Sequence, residues 1–206
     1  MGENVFSFEG MTKLEHLQTL QLFVPYNSVL KFEFKPGIRF NELVKLEICC
    51  ECSIQRSEEL RRLWAMWPKL QHLRLKVLNM TYEVFERIEK CKLLRHIDIS
   101  HNVPCIYNKC FGFIAQGCPE LEFLDLWYSL NPVYNNVRLL APCKKLRCLW
   151  LEDLSIIDIS LIHRILPNLA ELNTTHCNTM CPNDIQKVQQ QMKSLNIIWV
   201  KSDRSW

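Results

Sequence analysis

Apolar residues recur along this chain at the first, fourth and sixth places of a short unit. The clearest copy is Leu94-Arg95-His96-Ile97-Asp98-Ile99-Ser100-His101-Asn102, with an Asn at its ninth place. Seven more copies open at Leu17, Leu43, Leu70, Leu121, Leu146, Leu169 and Leu195. The opening leucines stand 26, 27, 24, 27, 25, 23 and 26 residues apart. A second column runs three residues ahead of the first: Leu14, Phe40, Trp67, Cys91, Cys118, Cys143, Leu166 and Met192, all apolar. The fourth and sixth places alternate with polar neighbours, which is the period of a strand. The earlier column marks a turn into the core just before each strand.

A strand unit L-x-x-L-x-L-x-x-N repeating at a period of about 20–29 residues is the pattern of a leucine-rich repeat. Between strands the chain must return on the other side. Leu60, Leu63, Trp64 and Trp67 stand at i, i+3, i+4 and i+7, one face of a helix, and Phe111, Ile114, Ala115 and Cys118 repeat that spacing. Pro68, Pro119 and Pro167 stop such helices, and Gly117 is placed to supply a left-handed residue at one helix end. Residues 24–39 carry Leu30, Phe32 and Phe34 in alternation and predict an extended excursion instead. The fold class is therefore α/β: a leucine-rich-repeat solenoid of about eight repeats, with a curved parallel sheet inside and helices outside. Residues 1–16 form an N-terminal cap segment, in which Phe6 and Phe8 alternate with polar neighbours. Residues 17–206 form the single solenoid domain.

The third, fifth and seventh places of each unit face the concave surface. Three of them, His72, Arg74 and Lys76, make a basic line in the third repeat. Asp98 and Asp125 follow at the fifth places of the next two repeats. Phe123, Trp127 and Trp150 come together as an aromatic cluster, and Trp199 occupies the fifth place of the last unit. Neighbouring strands lie about 4.8 Å apart, so such rings touch. An aromatic cluster facing water marks an interaction surface. These nine residues are the candidate protein-binding site.

Composition narrows the alternatives. The chain is 48% hydrophobic and 23% charged, with a formal net charge of +3 spread along its length. Without a basic stripe there is no case for nucleic acid. No apolar run approaches the roughly 18 residues of a membrane span, and Met1-Gly2-Glu3-Asn4-Val5-Phe6 has neither the basic flank nor the apolar core of a secretory signal. Eleven cysteines in such a chain read mostly as free thiols in a cytoplasmic or nuclear setting. Cys91, Cys118 and Cys143 share one repeat column and serve as small apolar residues. Cys49, Cys50 and Cys52, or Cys177 and Cys181, lack a second pair at zinc-finger spacing. His96, Asp98, Ser100 and His101 lie close in sequence, but no nucleophile elbow accompanies them. The five glycines form no phosphate-binding loop. No enzyme, cofactor or metal site is expected.

Cys118-Pro119-Glu120-Leu121-Glu122-Phe123-Leu124-Asp125-Leu126, with Cys91-Lys92-Leu93-Leu94 and Cys143-Lys144-Lys145-Leu146, resembles the cysteine-containing repeats of F-box/leucine-rich-repeat proteins. The similarity covers about residues 12–201. In that family the repeats hold a substrate, while an F-box docks on a cullin-based ubiquitin ligase. The resemblance therefore implies a substrate-recognition module, with ubiquitin-ligase components as further partners if an F-box lies upstream. No Leu-Pro-x-Glu-type run precedes the repeats here, and the ninth place is Cys only at Cys177. The alternative is a free-standing scaffold or inhibitor that binds a protein on its concave face without ubiquitination.

Overall fold

The computed structural model describes residues 3–7, 11, 13–24, 29–33, 39–53, 57–78, 80, 82–100, 108–126, 137–151, 159–177 and 182–200. Two strands near the N-terminus, β1 (Glu3–Ser7) and β3 (Val29–Glu33), pair in parallel as a small sheet of their own. The extended character expected of these two stretches is thus met by pairing one with the other. The main sheet has eight parallel strands in chain order. They are β2 (Thr19–Val24), β4 (Lys45–Ser53), β5 (His72–Leu78), β6 (His96–Asp98), β7 (Phe123–Asp125), β8 (Cys148–Trp150), β9 (Glu171–Asn173) and β10 (Asn196–Ile198).

The register keeps like places together. Leu20, Leu46, Leu73, Ile97, Leu124, Leu149 and Leu172, all fourth places, line up across seven strands. All seven are buried. Each side chain of this size stabilises the fold by about 1.5–3 kcal/mol on leaving water. No single repeat can hide its own row, so the repeats hold only as a stack.

The column before the opening leucine has a hydrogen-bonding reason. In all eight units the opening leucine N–H donates to the carbonyl three residues earlier, at 3.0–3.3 Å. This tight turn swings the earlier side chain inward. Seven of the eight column residues are buried; Leu14, with no preceding repeat to cover it, is 49% exposed. Two buried cysteines, Cys91 of this column and Cys177 at the ninth place of the seventh unit, also make hydrogen bonds. Cys91 Sγ donates to the Trp64 and Trp67 carbonyls of the preceding return, and Cys177 Sγ reaches the Leu151 carbonyl at 2.9 Å.

Helical returns occupy the convex side, in two forms. α1 (Asn108–Gly117), α2 (Ile162–Ile165) and α3 (Pro182–Gln191) are α-helical. The 57–66, 82–85, 88–90 and 137–140 returns are 3-10 helices. Trp64 is buried between Trp67 and Phe85, at ring separations of 6.1 and 6.4 Å, and its Nε1–H donates to the Val84 carbonyl.

Gly117 has a different role from the one expected. Among described non-glycine residues the left-handed positions are Arg87 and His176, and Gly117 itself stays in the helix. Its lack of a side chain serves packing: a Cβ there would sit 2.8 Å from the Glu89 backbone nitrogen and 3.0 Å from Ile88 Cγ2. In a free helix Gly→Ala stabilises by about 1 kcal/mol. Here Gly117→Ala is expected to destabilise, by about 1–3 kcal/mol, because the helix must back away from the neighbouring return. Urea unfolding reports the sign, and a more stable variant would reject the packing role.

The described cysteines are mostly free, as expected, with one exception. Cys49, Cys91, Cys110, Cys118, Cys143, Cys148 and Cys177 are free, but Cys50 is disulfide-bonded. Burial pushes the Cys91 and Cys143 thiols up to about 12 and Cys118 higher still, so these thiols are unreactive in the folded chain. Denatured without reductant, the protein should titrate at no fewer than the seven described free thiols and at fewer than its eleven cysteines. A full count would remove the Cys50 bond; a count near one would mean that the column cysteines are not free.

Candidate functional site

Strand alternation places the third and fifth places of β4 to β9 on the concave face, and the side chains there form one continuous line. His72 lies 5.6 Å from His96, ring centre to ring centre. His96 stacks on Phe123 at 4.1 Å with the rings 2° from parallel. Phe123 meets Trp150 edge-on at 5.2 Å. Trp150 Nε1–H then donates to Glu171 Oε1 at 2.6 Å. The parallel register brings this about, since it sets His72, His96 and Phe123 side by side on successive strands. Two of the three expected cluster members, Phe123 and Trp150, are in contact; Trp127 lies outside the described residues. His96, the ring at the centre of the line, is not among the nine candidate binding residues; the sequence brings it forward only beside Asp98, Ser100 and His101. Its signal was there, as the third place between His72 and Phe123.

Beside the rings runs a network of charges. Gln21 Nε2 donates to Glu47 Oε2 at 2.6 Å, and Lys45 Nζ reaches Glu47 Oε1 at 2.9 Å. Arg74 bridges the two carboxylates, with Nε 2.6 Å from Asp98 Oδ2 and a terminal nitrogen 3.9 Å from Glu47. Lys76 Nζ stands 4.0 Å from Asp98. Asp98 Oδ1 accepts from the Ser100 N–H and hydroxyl, at 3.1 and 2.7 Å. Asn173 makes the same pair of bonds to Thr175, so the fifth-place acid or amide pins the strand exit two residues on. A cleft of about 350 Å³ opens on this network, between Lys45, Glu47, His72, Arg74 and His96.

The expected acids are present on this face but sunk in it. Asp98 is 2% exposed and Asp125 6%. The corresponding side chains of Arg74 and Lys76 are 41% and 33% exposed. Sequence parity gives a residue's face, not its depth; short carboxylates between longer neighbours are covered by them.

Trp199 is the residue the structure moves. It was expected at the concave fifth place. In β10 the register slips by one: Asn196 pairs with Glu171 and Ile197 with the core residue Leu172. Burial follows the slip, with Ile198 and Val200 exposed while Ile197 and Trp199 pack on the core. A one-residue slip turns every side chain over, so Trp199 belongs to the core side and leaves the candidate surface. Its indole N–H has no partner among the described residues.

Charge states follow from these contacts. Burial pushes the Asp98 carboxyl up, but the two Ser100 hydrogen bonds, Lys76 and Arg74 outweigh it and hold the group below its ordinary value. Glu47 is likewise lowered against its burial, by Lys45, Gln21 and Arg74. Burial, then the nearby His72, holds the His96 imidazole below 6.5. The unfolded chain therefore takes up protons before the folded one at all three sites. Stability is lost as pH falls through about 6.5 from His96, and again below about 4 from the two acids. His96→Phe copies the ring of the next repeat and should remove the first loss while leaving the second. Denaturant midpoints from pH 8 to 3 report it; equal slopes for both proteins around pH 6 would exclude His96 as the source.

No protein-family model matches the chain, and no curated protein matches it. Among solved structures it is similar to an internalin from Listeria monocytogenes, with a TM-score of 0.62 and 14% identity. The match covers 94% of this chain and 50% of the internalin. The fold is a leucine-rich-repeat solenoid. The chain spans half the length of that relative, and identity so low carries the fold alone. A second structure, of a protein from Bacteroides fragilis, has 14% identity and a TM-score of 0.48 over 94% of this chain and 68% of its own. Among the described residues no helix is long and apolar enough to cross a membrane, and no group of His, Cys, Asp or Glu is arranged to hold a metal ion.

Proposed function

We propose that this chain is a protein-binding module whose partner lies across the concave face, on His96, Phe123 and Trp150 and beside Arg74 and Lys76. The ring line carries the reading. Three half-buried rings in mutual contact across successive strands offer a rigid apolar anchor with little conformational entropy left to lose. The fold supplies a rigid curved platform behind them.

The cysteine column gives this module its finer reading as the substrate-recognition part of a cullin-based ubiquitin ligase. In that column Cys91 donates to two backbone carbonyls of the preceding return, and the free cysteines suit a cytoplasmic or nuclear setting. The second reading is a free-standing scaffold or inhibitor. The Cys50 disulfide favours it, since a reducing cytosol would tend to open that bond. Affinity purification with the wild type and a Phe123→Ala/Trp150→Ala variant tests both levels. Partners that depend on the two rings support the module, and cullin with its adaptor among co-purified proteins supports the ligase. Identical partner sets for both proteins would end the concave-face reading.

A further inference from the structure

We propose that the partner presents an acidic peptide segment, with a carboxylate seated in the cleft at Lys45, His72 and Arg74 and an apolar side chain on the Phe123–Trp150 pair. This deepens the concave-face reading above and rests on it.

The formal charges along the face nearly cancel, but their depths differ. Glu47, Asp98 and Asp125 are buried, at 8%, 2% and 6% exposure. The side chains of Lys45, Arg74 and Lys76 stand 41%, 41% and 33% exposed, and His72 is exposed beside them. A partner approaching β4 and β5 therefore meets cations first. The carboxylates beneath them do structural work: Glu47 holds Lys45 and Gln21, and Asp98 holds Arg74 and Ser100. They fix the cations in place and so reduce the entropy cost of binding an anion.

The sum of charges at this end selects the kind of anion. Lys45, Arg74 and Lys76 face Glu47 and Asp98, three cations to two carboxylates. These five ion-paired groups carry one net positive charge, and Asp125 on the next strand lowers it further, which suits a monoanionic carboxylate better than a dianionic phosphate. The ring line leads from this cleft directly to Phe123 and Trp150. An acidic residue and an apolar residue of one extended segment can therefore engage both ends together. The Arg and Lys side chains protruding at this end also disfavour a basic segment, by like-charge repulsion.

Selection from a random peptide library displayed on phage tests this, using the folded wild type, Lys45→Gln/Lys76→Gln and Trp150→Ala as baits. The wild type should enrich peptides carrying Asp or Glu together with a large apolar residue. A fluorescein-labelled copy of the most enriched peptide should bind at least tenfold more weakly to the Lys45/Lys76 variant, and its wild-type affinity should fall as salt rises. The salt series needs no variant and stands even if one misfolds. Trp150-dependent peptides without acidic enrichment would overturn the acidic partner while leaving the concave-face reading intact. Peptides indifferent to Trp150, Lys45 and Lys76, or no enrichment at all on the wild type, would count against both.

Discussion

Leu124→Ala should cost the protein about 2–5 kcal/mol. Leu124 is fully buried at the fourth place of the fifth repeat, between Ile97 and Leu149 on the adjoining strands. Removing its side chain leaves a void that these neighbours cannot fill, because their own positions are fixed by the parallel ladder. In a stacked array each repeat is held through its two neighbours, so the loss weakens both interfaces at once. Out of a typical total of about 5–15 kcal/mol, that is a large fraction. Leu20→Ala is the internal comparison. Leu20 has the same place in the unit, but it sits on β2 at the end of the main sheet and is already 7% exposed. Its cost should be smaller. Urea unfolding of the two variants measures the difference. Equal losses, or a loss at Leu124 below about 1 kcal/mol, would contradict a core built from stacked fourth places.

The fold was legible because its signal is redundant. Eight opening leucines and eight residues before them are two columns that can be checked against each other. The turn hydrogen bond between them makes the spacing obligatory, so the second column could not drift. Single features without such a partner were less readable. At the last unit, Leu195-Asn196-Ile197-Ile198-Trp199-Val200 carries two adjacent isoleucines, and either can fill the fourth place. The pattern alone cannot decide between them; pairing with β9 does, and Ile197 takes the place. That choice carries Trp199 to the core side. Gly117 failed for a different reason. A glycine near a helix end suits a left-handed turn, and only the approach of residues 88–89 from the preceding repeat reveals the packing role.

The candidate site was legible in outline and misjudged in depth. Third-place and fifth-place residues do face one surface, and Phe123 does meet Trp150. The sequence could not say that Asp98 and Asp125 would be covered, nor that Glu47 would organise Lys45, Gln21 and Arg74 into one network. Apart from Lys45–Glu47 within one strand, those contacts join residues 24–27 positions apart. Local pattern gives the columns; the identity of each cross-strand neighbour depends on every repeat length in between.

The largest functional effect is expected at Trp150. Truncating a central aromatic anchor costs about 2 kcal/mol or more of binding, roughly thirtyfold in affinity. Trp150→Ala should therefore weaken capture of any concave-face partner by at least that factor. The same change should cost some stability, because Trp150 is tied into the face. Its Nε1–H donates to Glu171 and its ring meets Phe123 edge-on. One hydrogen bond and one aromatic contact together are worth about 1–3 kcal/mol, toward the lower part of the range expected for the core loss at Leu124. Trp150→Phe separates the two contributions. It keeps a ring against Phe123 and removes the donor to Glu171. If the ring is the anchor, the phenylalanine variant should retain most of the binding while losing the hydrogen bond's share of stability. Titration calorimetry with a captured partner and urea unfolding, run on all three proteins, give both quantities. Unchanged affinity in a folded Trp150→Ala protein would make the indole a structural tie between repeats six and seven and move the binding surface elsewhere.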